Sequence, residues 1–256
     1  MRSILLSEYE RAFKRKKTSI GILVYCFLLT LECVFLYLTG GISFYDANHS
    51  VQLNSINTAS FFLRELGLFI NFILIPMFVV DSFNGEYSSG ALRLVLIRPQ
   101  KRVSLFLAKW IVQASLILAL TVFTWLIATI FGQMIMPYVS ETNFLNTESM
   151  NIFEGLIYSI KFYGLSYVIF LCVIGLSSFM SIVMPNPIMA YMGTVACLIG
   201  GVYISGQFIY FVIVSDSVFE VLGNANQYGF YSSLLFLFVI SHIMSIGIWN
   251  RKQWMG

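Results

Sequence analysis

A few ionisable side chains of this 256-residue sequence fall in or beside long apolar runs: Glu32, Arg64, Glu65, Asp81, Lys109, Lys161 and His242. An isolated charge near the middle of a bilayer costs roughly 2.5 to 3.5 kcal/mol, so each should have a partner or a task. Glu32 lies fourteen residues into the first run, about 20 Å deep at 1.5 Å per residue, and Arg64, counted from the other side, lies at a similar height. Depth matching therefore predicts a Glu32–Arg64 ion pair, with Lys161 as the partner of Glu65 and an Asp81–Lys109 pair at the opposite end. The alternative chemistry is a Glu32 that binds a cation or a proton, as in an ion-coupled or sodium-extruding carrier, or an intramembrane hydrolase built from Glu32, Glu65 and His242. Enzymatic signatures are missing: there is no G-x-x-x-x-G-K-[ST] loop, no H-E-x-x-H and no G-x-S-x-G. His49 and His242 are the only histidines, and Cys26, Cys33, Cys172 and Cys197 lack metal-ligand spacing, so no catalytic residue, cofactor site or metal site is expected in the chain.

The elements that must position these groups follow from composition. Hydrophobic residues make up 58% of the chain and charged residues 11%, against about 25% charged in soluble domains. Runs near 19–38, 61–83, 103–131, 162–184, 187–214 and 230–250 each meet the roughly 20-residue length needed to cross the hydrocarbon. Such unbroken runs exclude barrel strands and predict an all-α polytopic membrane protein of six transmembrane helices, a single domain over 1–256. The first run is longer than a signal-peptide core and no small-x-small site follows it, so an uncleaved span is expected. Met184-Pro185-Asn186-Pro187 should force a tight reversal between the fourth and fifth spans.

Charge sets the expected orientation. Arg2, Arg11, Lys14, Arg15, Lys16, Lys17, Arg93, Arg98, Lys101, Arg102, Arg251 and Lys252 all fall on one side, while the opposite connections hold Asp46, Glu141, Glu148, Glu154, Asp216 and Glu220 and no basic residue. The positive-inside rule places both termini in the cytoplasm of a cell-membrane protein. A formal net charge of +3, with the basic residues beside apolar runs, gives no nucleic-acid footprint. Within residues 1–18, Leu5, Tyr9, Ala12 and Phe13 recur at helical spacing with Glu10, Arg11, Lys14 and Arg15 on other faces, as in an interfacial helix lying on lipid or against a partner.

The segment Asp81 to Lys109 reads DSFNGEYSSGALRLVLIRPQKRVSLFLAK. Asn84 is a possible N-cap, with Ser88 or Ser89 as a second start, for a short helix over about 87–97 that Pro99 would end. Its apolar flank of Ala91, Leu92, Val95 and Leu96 requires a partner or the lipid surface.

Glu86, Gly90, Leu92, Arg93, Arg98-Pro99, Arg102 and Lys109 resemble the E…G-[TA]-L-R…R-P…R…AK pattern of the ABC-2 type permease family, here in its small bacterial six-span form, with Ala91 where Thr is usual. The resemblance implies a type V exporter-like fold with an amphipathic N-terminal connecting helix, and a coupling helix within 84–102 that docks on a separate ATPase. It implies two ATPase copies, which bind ATP and Mg, and a second permease subunit to complete the path. It implies too that the second and fifth spans line that path, through Phe69, Phe72, Met189 and Met192. Side chains of this kind suit an amphipathic or hydrophobic cargo such as a peptide, toxin or antibiotic, expelled for export or for self-protection.

Overall fold

With no water to satisfy the backbone in a bilayer, apolar runs of this length close their own hydrogen bonds as helices. The computed structural model describes residues 2–45, 50–88, 90, 101–145, 147–223 and 228–252. In chain order the helices are α1 (Arg2–Lys14), α2 (Lys16–Thr39), α3 (Thr58–Ser88), α4 (Arg102–Ile135), α5 (Ile152–Val183), α6 (Pro187–Ile204), α7 (Gly206–Val212), α8 (Val214–Gly223) and α9 (Tyr228–Arg251). All but α1, α7 and α8 are individually long and apolar enough to cross a membrane, so the chain is an all-α multi-pass membrane protein. Two small hairpins complete the described residues, β1 (Ser43–Tyr45) with β2 (Ser50–Gln52), and β3 (Glu141–Thr142) with β4 (Met150–Asn151).

Both ends of the described chain meet at one end of the bundle. Arg102, opening α4, donates to the carbonyl of Asn250 in the last turn of α9 at 3.1 Å, and α1 packs along α4 through Leu5, Tyr9 and Ala12 against Val112 and Leu116. This basic end gathers most of the described lysines and arginines, whereas the opposite, acidic end carries Glu141, Glu148, Glu154, Asp216 and Glu220. The expected apolar stripe of α1 is divided: Leu5, Tyr9 and Ala12 are docked on α4, and Phe13 turns outward with Leu6.

The second span runs to Ser88, not to residue 83, so Asn84 is no helix cap. It lies in the second of two π-helical turns in α3, Ile70–Leu74 and Asp81–Gly85, and its amide donates to the carbonyls of Ser181 and Met184 at 3.0 and 2.8 Å. Asn71, in the first π turn, donates to the carbonyl of Phe211 at 2.6 Å. Buried amides thus tie α3 to the rest of the bundle at both of the places where its ladder is loosened.

The fifth span is shorter than the run at 187–214 predicts. Helix α6 stops at Ile204, and α7 and α8 follow with a 110° bend between them. Ser215 of α8 donates to the carbonyl of Leu63 at 3.2 Å, so the bent pair packs against the acidic end of α3. The apolar run hid this break because Phe208, Phe211 and Val212 are as hydrophobic as a span; Ser205 and Gln207 were its only polar signals.

At the Met184–Pro187 reversal the Asn186 side chain caps α6, accepting from the Met189 amide at 2.8 Å. The acidic end is capped by Asn54, whose side chain bonds Thr142 at 2.8 Å across the two connections, and by the Phe144 ring stacked on Tyr158 at 4.0 Å.

Helix α5 is the hub of the packing, buried on most sides and in contact with α3, α4, α6, α8 and α9. It comes close to α9 at Gly175, where an added Cβ would sit 2.5 Å from Ser241 Oγ and 3.2 Å from the His242 ring. Gly175→Leu should therefore destabilise the protein by about 1 to 3 kcal/mol. Gly164→Leu, on the same helix but with nothing within 4 Å, should be near neutral. Thermal unfolding of both variants in detergent reads the difference.

Candidate functional site

The strongest concentration of chemistry lies at the basic end, where α1, α3 and α4 converge. Lys109, seven residues and about 10 Å into α4, is fully buried. Its ammonium donates to Glu8 of α1 at 3.1 Å, to the carbonyl of Ser82 at 3.0 Å and to Glu86 of α3. Glu8 is itself 1% exposed, so one lysine charge is shared by two carboxylates from two helices, out of water. Arg11 adds a 3.0 Å bridge to Glu8 and a 3.7 Å contact to Glu86, and Arg15 pairs with Glu86 and reaches Asp81 at 3.7 Å. Lys17 completes the cluster on Asp81 at 2.8 Å. Beside it, Tyr9 donates to Ser115 at 2.6 Å and fixes the height of α1 on α4.

The expected Asp81–Lys109 pair is therefore replaced: Asp81 takes Arg15 and Lys17, and Lys109 takes Glu8 and Glu86. The π turn Asp81–Gly85 is the physical reason. In an α-helix residues five apart lie roughly 140° apart around the axis, at about 100° per residue. Wider i→i+5 closure brings Asp81 and Glu86 nearer to one face, where Arg15 touches both.

The two described ends of the connection are held by α9. The indole of Trp249 donates to the Arg102 carbonyl at 2.9 Å and its ring lies against Phe83 and Phe106. The ammonium of Lys252 sits 4.9 Å over the Tyr87 ring and donates to the Ile182 carbonyl at 2.6 Å. Gly90 adopts a left-handed φ of 78°, and its amide closes on the Tyr87 carbonyl at 3.1 Å. Of the coupling residues expected from sequence, Glu86, Gly90 and Arg102 are thus placed, while Leu92, Arg93, Arg98 and Pro99 lie outside the described residues.

The expected Glu32–Arg64 pair is not formed. Arg64 instead bridges to Asp216 at 3.1 Å, because the bent pair α7–α8 folds back onto α3 and supplies a carboxylate that depth counting could not see. Glu32, Arg64 and Glu65 do line one cavity of about 300 Å³. Glu65 is exposed and makes no ion pair with Lys161.

Among the expected path residues, Phe69 is half-buried and stacked with Tyr25 at 6.3 Å, and the Phe72 carbonyl accepts from Tyr191 at 2.9 Å. Met189 and Met192 point away from the bundle, 51% and 62% exposed, so a single chain does not enclose the four together. His242 bonds the Phe238 carbonyl of its own helix at 2.8 Å and packs on Trp110.

Taking one partner out of a buried ion pair costs about 3 to 5 kcal/mol. Lys109→Met should destabilise the protein on that scale, and Glu8→Gln should cost less in the Lys109→Met background than alone, a coupling of about 0.5 to 3 kcal/mol. A double-mutant cycle on unfolding in lipid nanodiscs measures it, and strictly additive effects would show that the two charges do not act together.

No curated protein matches the chain. The profile of a family described as "protein of unknown function (DUF2705)" matches residues 42–253, from the first connection through α9, and the chain belongs to that family.

Proposed function

We propose that this protein is the membrane-spanning subunit of an ATP-binding-cassette exporter. In this reading it lies in the cell membrane with the basic end in the cytoplasm, as the positive-inside rule requires for the lysines and arginines gathered there. ATP and Mg are bound by a separate ATPase, present in two copies. A second permease subunit completes the translocation path, and the cargo is amphipathic or hydrophobic, with peptide as the leading class.

The observation that carries the reading is the position of Glu86. It belongs to the E…G-x-L-R segment and stands at its start, and it is joined to α1 through Arg11, to the junction of α1 and α2 through Arg15 and to α4 through Lys109. A displacement imposed on the segment after Ser88 would reach three helices at once, because separating any of them breaks an ion pair of the cluster. Arg102, at the other end of the segment, is bonded to α9, so a push there would be carried into a fourth helix. The exposed faces of α2 and α6, with Leu23, Phe27, Ile188 and Met192 turned out from the bundle, are compatible with lipid or with the second subunit.

Purified alone, the protein should hydrolyse no ATP; mixed with its partner ATPase, it should form a stable complex. Arg93→Glu should lower cargo-stimulated ATP turnover about tenfold, the effect of roughly 1.4 kcal/mol, while insertion and unfolding temperature stay unchanged. Absence of any complex in several mild detergents, or normal stimulation in the Arg93→Glu variant, would overturn the exporter reading.

A further inference from the structure

The acidic end holds polar chemistry that neither the bundle packing nor the charge cluster uses. Between α2, α3 and the first hairpin lies the cavity of about 300 Å³ lined by Glu32, Phe35, Phe61, Arg64 and Glu65. A second cavity of about 210 Å³, reaching Asp216 and Leu68, shares Arg64 and Glu65 with the first. The two meet at Arg64 and Glu65, beside the Arg64–Asp216 bridge, and are together termed the crevice.

Among the described residues its charges do not balance: three carboxylates, Glu32, Glu65 and Asp216, face it with one guanidinium, that of Arg64, which is bridged to Asp216. Among the described residues Glu32 and Glu65 have no ion-pair partner. The Oε1 atom of Glu32 is closed off from solvent and accepts no hydrogen bond, although an unsatisfied carboxylate in such a place is costly. Nor are the walls those of a metal site. Phe35, Phe61 and Leu68 give the crevice aromatic and aliphatic surface, and about 300 Å³ is some ten times the roughly 30 Å³ that one water occupies in the liquid. A small inorganic ion needs oxygens closed tightly around it. A carboxylate pair with aromatic walls suits an ammonium or guanidinium on a carbon stem, which gains an ion pair and contact with the ring faces.

We propose that this crevice binds the cationic group, an amine or a guanidinium, of an amphipathic molecule, with Glu32 and Glu65 as its carboxylate partners and Phe35 and Phe61 as its walls. Its role as a cargo station rests on the exporter reading and would make the preferred cargo a cationic amphiphile, such as a lysine- or arginine-bearing peptide. The binding itself rests only on the crevice.

The test uses the full chain without any ATPase, in nanodiscs of zwitterionic phosphatidylcholine, so that neither coupling nor anionic lipid contributes. The probe is dansylcadaverine, a primary amine on an apolar fluorophore, beside its uncharged N-acetyl derivative. Saturable binding of the amine is expected, at least tenfold tighter than the neutral analogue. Glu32→Gln and Glu65→Gln should each weaken it about fivefold or more, and Glu32→Asp should restore part of the loss. Unfolding temperature shows that each variant is folded. Equal binding of amine and neutral analogue, or no response to either glutamate, would overturn the proposal in favour of partition into lipid. Displacement of the probe by sodium chloride but not by choline chloride at equal ionic strength would overturn it in favour of an inorganic cation site. Glu32→Gln should still assemble with the ATPase, so loss of probe binding with assembly intact touches the crevice alone, and loss of assembly in the unmodified protein touches the exporter reading alone.

Discussion

An ammonium group held fully out of water needs opposite charge around it, and Lys109 imposes that condition on three helices. Its partners come from α1 and from α3, while it stands on α4. None of the three can move away alone without breaking an ion pair of the buried Lys109, at a cost comparable with much of a small domain's stability. The cluster therefore fixes the height of α1 on the bundle, the rotation of the last turns of α3 and the entry angle of α4. Buried ion pairs add little to stability compared with apolar packing of the same volume; their attested use is to fix register, and this is the role assigned to Lys109 here.

The same logic accounts for the irregularity of α3. A continuous α-helix over Thr58–Ser88 would carry Asp81 and Glu86 on different faces and leave no single approach for Arg15. The π turn brings both to one side, and the Ser82 carbonyl within it accepts from Lys109. The first π turn works in a parallel way nearer the acidic end, where Asn71 reaches the Phe211 carbonyl beside the bend between α7 and α8. Helix α3 thus connects the charge cluster at the basic end to the Arg64–Asp216 bridge at the acidic end. In the proposed exporter it is the element through which ATP-driven displacement at Glu86 would reach the crevice.

Much of the architecture was legible in the sequence because the bilayer constrains it so tightly. Apolar runs above about 20 residues have few alternatives to a helix. The site was legible only in part. Glu86 and Lys109 stood out by type and position, yet their pairing did not, since Asp81 is the nearer carboxylate in a regular helix and a π turn leaves no residue signature. Glu8 carried no sign of burial in its sequence neighbourhood and lies on the face of α1 that docks on α4. Arg64 was assigned to Glu32 by depth alone, because the run at 187–214 masked the bent pair that brings Asp216 to it. Periodicity and hydropathy report how a segment meets its solvent, whereas these pairings depend on how one segment meets another.

The central claim, that Lys109 holds α1 to the bundle, is tested most directly by hydrogen–deuterium exchange on the intact protein in nanodiscs, with and without Lys109→Met. The account predicts that the amides of Arg2–Lys14 lose most of their protection when the lysine charge is removed, while those of α5 and α9, packed around Gly175, keep theirs. Unchanged protection of α1 in the Lys109→Met protein would contradict it, showing that apolar contact of Leu5 and Ala12 with α4 is enough to hold the helix in place.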